Sequence, residues 1–136
     1  MRVTLTDPLF QEITLDWAHG RCAWFALAAA AQWNLPLAGF EDEDGRLVHV
    51  ACQTNDGLFD AYGLGSEAQV LDAFMQLGAP GRMTRCSVSA AQVREAFLLT
   101  EPEHEAEIAD AVHVCKRVMQ ELGISALQYQ HSGSTT

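Results

Sequence analysis

Gly20-Arg21-Cys22-Ala23-Trp24-Phe25-Ala26-Leu27-Ala28-Ala29-Ala30-Ala31 is the stretch whose reading decides the fold. Its apolar content and its alanines predict a buried helix from Arg21 to about Asn34, ended by Asn34 and Pro36 because proline disfavours helix in the residue before it. Cys22 falls in the first turn of that helix. Free amide N–H groups and the positive end of the dipole gather there, and both favour a thiolate.

Working outward, Leu37 to Glu41 reads as a strand and Asp42-Glu43-Asp44-Gly45 as a turn. Arg46 to Thr54 is a β-rich run, Asn55-Asp56-Gly57 is a hairpin signal, and Leu58 to Tyr62 returns as the next strand. Ser66 with Gln69 forms a capping box, opening a helix that ends near Gly78. A further strand is expected at Arg82 to Val88. Ser89 caps a helix through Leu98, and Pro102 starts a longer one that runs to Leu122 and stops at Gly123. A short helix is expected around Leu9 to Leu15. The fold class read from this order is α+β: a central N-terminal helix carrying the cysteine, packed on a small antiparallel sheet, with additional C-terminal helices. Residues 1–130 read as one domain and 131–136 as a polar tail.

Composition narrows the functions. The chain has 136 residues, of which 49% are hydrophobic, enough for a core without metal or disulfide staples. Cys22, Cys52, Cys86 and Cys115 are widely spaced with no CxxC pair, so no disulfide framework is expected. Eighteen acidic against eight basic residues give a net charge of −10, which repels phosphate backbones and anionic membranes. Neither direct nucleic-acid binding nor a membrane role is expected. No spanning run or secretory leader is legible, and a cytoplasmic protein is the expectation.

The chemistry is carried by Cys22, His49 and Asp60, which supply a nucleophile, a base and an orienting carboxylate in that chain order. Register parity tests whether they can meet. If Thr54 to Gly57 closes the hairpin as a four-residue loop, Gln53 pairs with Leu58, Ala51 with Asp60 and His49 with Tyr62. His49 and Asp60 then share one face as diagonal neighbours, and a two-residue Asp56-Gly57 loop keeps the parity with a larger offset. Packing the Cys22 helix across that face brings thiol and imidazole together.

Gly20-Arg21-Cys22-Ala23-Trp24-Phe25 resembles the Gly-x-Cys-Trp-Ala-Phe segment around the nucleophile of papain-like cysteine peptidases, with the tryptophan displaced by one. The order helix-borne cysteine, strand-borne histidine, next-strand aspartate is similar to the compact transglutaminase-like branch of that superfamily. The resemblance spans about Asp16 to Leu64. It implies Cys22 as nucleophile, His49 as general base and acid, and Asp60 as the orienting acid. The family places an oxyanion-hole glutamine six residues before the cysteine, where this chain has Asp16. Gln11, Trp17 and His19 are the candidates for the second oxyanion donor, beside the backbone N–H of Cys22.

The expected activity is therefore a cysteine hydrolase or acyltransferase acting on an amide or ester bond, with a protein or peptide substrate. No cofactor and no metal are expected: no phosphate-binding glycine loop is present, and a zinc site of Cys22, His49 and Cys52 is disfavoured because odd spacing turns His49 and Cys52 to opposite strand faces. The alternative is a non-catalytic acidic protein, an effector or inhibitor that occupies a basic partner. A third reading is a structural domain with a degenerate triad.

Overall fold

The computed structural model describes residues 22–76, 82–99 and 101–130. The expected helix at Leu9 to Leu15 and the polar tail lie outside the described residues. The chain is α+β. Helix α1 (Cys22–Trp33) leads into β1 (Leu37–Glu41), β2 (Leu47–Thr54), β3 (Gly57–Asp60) and β4 (Gly63–Gly65). Helix α2 (Glu67–Gln76), strand β5 (Thr84–Val88), helix α3 (Ala90–Ala96) and the long helix α4 (Glu101–Leu122) follow. The five strands form one antiparallel sheet in the order β4-β3-β2-β1-β5.

Local sequence chemistry sets the element ends. Asn34 takes a positive φ of 53° after the last turn of α1, and the Leu35 N–H reaches back to the Ala30 carbonyl. In the β1–β2 turn, Asp42 Oδ1 accepts from the N–H groups of Asp44 and Arg46. The expected capping box at Ser66 forms, and the expected Ser89 cap is a box as well: the Ser66 and Ser89 hydroxyls accept from the Gln69 and Gln92 N–H groups, and each glutamine side chain accepts from the serine N–H. Gly123, at φ 71°, ends α4, and the Ile124 N–H closes onto the Met119 carbonyl.

Every residue of α1 from Cys22 to Ala29 is buried. A helix that is apolar on all sides must have neighbours on all sides, and α1 packs against both β2 and α4. The Cys52 thiol donates to the Ala26 carbonyl at 3.1 Å, and the Cys115 thiol of α4 points to the Phe25 carbonyl at 3.7 Å. This side of the sheet contributes Val50, Cys52 and Phe59, with the Phe25 and Phe59 rings 5.3 Å apart. The opposite side buries Ala38, Phe40, Ala51 and Leu58 with Val70 of α2 and Met83. Among the described residues no helix is long and apolar enough to cross a membrane.

Two details differ from the expectation. The β2–β3 hairpin has the expected register at Gln53↔Leu58, but pairing continues to Thr54↔Gly57, leaving Asn55 and Asp56 as the loop. The Thr54 hydroxyl stabilises this tighter closure by donating to the Gly57 carbonyl and accepting from the Asp56 N–H. The segment Leu58 to Tyr62, read as one strand, ends at Asp60 and turns back into β4.

Candidate active site

His49 stands near the start of β2, opposite Phe40 of β1. The register slips immediately beyond this pair, where Glu41 meets Leu47, so a β-bulge lies beside the histidine. On its other side, pairing with β3 ends at Cys52↔Phe59. The imidazole therefore occupies the end of the sheet, where the ladder loosens. The Phe40 ring packs beside it, with centroids 5.9 Å apart and planes tilted by 34°.

The expected parity holds. Continuing the observed register places Ala51 opposite Asp60, with His49 diagonal to it on the same face. His49 Nε2 and Asp60 Oδ2 are 3.5 Å apart, at the long edge of hydrogen-bonding distance. The other carboxylate oxygen, Oδ1, accepts the Tyr62 N–H at 2.9 Å.

Cys22, at the N-terminal end of the described span of α1, also faces the imidazole and interacts with it by hydrogen bonding and charge. The route of this approach corrects the sequence reading. The body of α1 covers the face bearing Val50, Cys52 and Phe59, opposite in parity to His49 and Asp60. Contact between thiol and imidazole is thus made at the helix end, beside the open end of the sheet. The three side chains are deeply buried, with 5% exposure for Cys22, 1% for His49 and 2% for Asp60.

Burial alone lowers the pKa of His49, because a charged ring loses its hydration; the Asp60 carboxylate and then the Cys22 side chain outweigh that effect, and the pKa is pushed up to about 9. The ring is accordingly an imidazolium at neutral pH. The other thiols are held protonated: burial pushes Cys52 and Cys115 far up, and Cys86 is raised by partial burial and by the neighbouring Glu41. Among the described residues, Cys22 is the cysteine that interacts with a histidine, and that histidine meets a carboxylate. A thiol beside a cationic imidazole held by a carboxylate can act as a nucleophile with an adjacent proton donor.

His49 and Cys52 point to opposite faces, as odd spacing requires, since their pairing with β1 is regular from His49 to Cys52. No group of three or more His, Cys, Asp or Glu among the described residues is arranged to hold a metal ion. The oxyanion candidates Gln11, Trp17 and His19, with Asp16, lie outside the described residues. Sequence reading missed Phe40 and the Tyr62 N–H. The latter had a signal, an aspartate two residues before a backbone donor in a turn closed by glycine.

A scan against protein-family models matched none, and searches of curated proteins and of solved structures each found no match.

Proposed function

We propose that the chain is a cysteine hydrolase or acyltransferase that works on an amide or ester bond of a protein or peptide through Cys22, His49 and Asp60. The observation that carries this reading is the convergence of a helix-borne thiol and a strand-borne carboxylate on one buried imidazole. His49 holds the transferable proton. The Cys22 thiolate attacks the carbonyl carbon, and the tetrahedral intermediate collapses as His49 gives its proton to the leaving amine or alkoxide. A thioester remains. His49, now neutral, takes a proton from water or from an acceptor amine as that group attacks the thioester, which releases the acyl product and restores the pair. Asp60 holds the ring orientation and stabilises the imidazolium in both steps. The resemblance to papain-like and transglutaminase-like enzymes supports the same assignment.

No cofactor or metal enters this cycle. The four cysteines are free, which suits the reducing cytoplasm, where we place the protein. The −10 net charge argues against nucleic-acid and membrane partners.

The test is alkylation of the folded protein with iodoacetamide, read cysteine by cysteine across pH. Cys22 is expected to label faster than Cys52, Cys86 and Cys115; Cys22→Ala abolishes the fast phase while the circular dichroism spectrum is unchanged. Labelling of Cys22 no faster than the other three overturns the reading. In that case a non-catalytic acidic protein that occupies a basic partner takes its place.

A further inference from the structure

Asp60 can orient His49 only if its own carboxylate is held, and the way it is held singles out a residue two strands away from the imidazole. β3 and β4 reverse direction through Ala61 and Tyr62, with Asp60 and Gly63 as the closing pair. In the two-residue hairpin turns whose twist matches the strands, one or both central residues take positive φ. Here neither does: the non-glycine residues with positive φ among the described ones are Asn34 and Leu98. The left-handed conformation falls instead on Gly63, at φ 109°. With that geometry the Tyr62 N–H points back to Asp60 Oδ1 at 2.9 Å, and Oδ2 is left facing His49 Nε2 at 3.5 Å. The two oxygens are thus divided between backbone and imidazole. A carboxylate not fixed by the turn could rotate about its Cα–Cβ and Cβ–Cγ bonds and leave the ring.

We infer that Gly63 is a positioning residue of the site, acting through the Tyr62 N–H to fix which carboxylate oxygen of Asp60 meets His49. This rests on the proposed Cys22 chemistry for its catalytic meaning, while the turn geometry stands independently. An alanine at position 63 disfavours positive φ, opens the turn and withdraws the Tyr62 N–H from Oδ1. His49 then loses the held carboxylate, although the Asp60 side chain is still present.

The experiment compares Gly63→Ala with Gly45→Ala. Gly45 also has positive φ, 78°, with open space around its Cα, in the exposed β1–β2 turn. Both substitutions are expected to lower the melting temperature through backbone strain. Only Gly63→Ala is expected to move the site: the NMR titration of His49 falls from about 9 by at least about one pH unit, and iodoacetamide labelling of Cys22 near pH 8 slows by about tenfold. Should Gly63→Ala not fold, Tyr62 is replaced by its α-hydroxy acid, which exchanges only the N–H for an ester oxygen and is expected to move the same two readouts. Fast Cys22 labelling in the unmodified protein, with neither readout changed in the variant, overturns the role of Gly63 and leaves the proposed activity standing. Slow Cys22 labelling in the unmodified protein overturns both.

Discussion

Asp60→Asn is the sharpest perturbation of the site, because it removes a charge while keeping shape. The asparagine side-chain oxygen can still accept the Tyr62 N–H, so the β3–β4 turn is preserved. What disappears is the negative charge 3.5 Å from His49 Nε2. The fold pushes the His49 pKa up to about 9 from the ordinary 6.5 of a histidine. A group whose folded pKa is raised contributes stability that is fully present below its unfolded pKa and lost as pH rises through the folded one. The window is therefore pH 6.5 to about 9, and the gap corresponds to about 3 kcal/mol of stability below it. The group is completely buried, so solvent screening does not reduce that figure. Without the carboxylate, burial is opposed by the Cys22 side chain alone. His49 in Asp60→Asn is expected to titrate below its wild-type position of about 9, and the variant to be less stable at mildly acidic pH. The assays are the His49 Cε1–H chemical shift followed against pH, and urea unfolding across the same range. The wild type should lose stability from pH 6.5 to about 9, whereas the variant should show a smaller loss that is complete at lower pH. A variant histidine still titrating near 9, or a wild-type stability that is flat across the window, refutes the reasoning.

Cys22→Ser replaces the nucleophile with a hydroxyl of similar size; turnover of any amide or ester substrate is expected to vanish and the His49 pKa to fall below about 9 with the fold intact, checked by activity assay and NMR titration. Gly57→Ala should destabilise the fold by at least about 1 kcal/mol in urea unfolding, because φ is 135° and an added Cβ would lie 2.8 Å from the Gly65 carbonyl oxygen. Leu98 is 84% exposed and sits at φ 54°; Leu98→Gly is expected to stabilise the chain by about 1 kcal/mol, seen as a higher melting temperature, by relieving the left-handed strain.

The sequence by itself determined what nearest neighbours along the chain can enforce. The apolar run from Cys22 forms α1, the Ser66 and Ser89 boxes cap their helices, and Gly123 ends α4. The turn signal at Asn55 to Gly57 placed the hairpin, and each loop length it allowed keeps His49 and Asp60 on one face, as the observed Gln53↔Leu58 register does. These features depend on short-range hydrogen bonds and on the period of two in a strand. Which face α1 covers could not be read in this way. Both faces of β2 are apolar, with Val50 and Cys52 on one and Val48 and Ala51 on the other, so alternation names two faces without ranking them. Packing decided it: the bulky Phe59 and the Cys52 thiol meet α1, while Phe40 and Leu58 meet the α2 side. The bulge beside His49, the Phe40 ring against the imidazole and the arrival of Cys22 at the sheet end are likewise products of long-range contacts. The residue types of the site were legible along the chain, but the charge state of His49 was not, because it is set by burial and by partners that only the folded structure brings within reach.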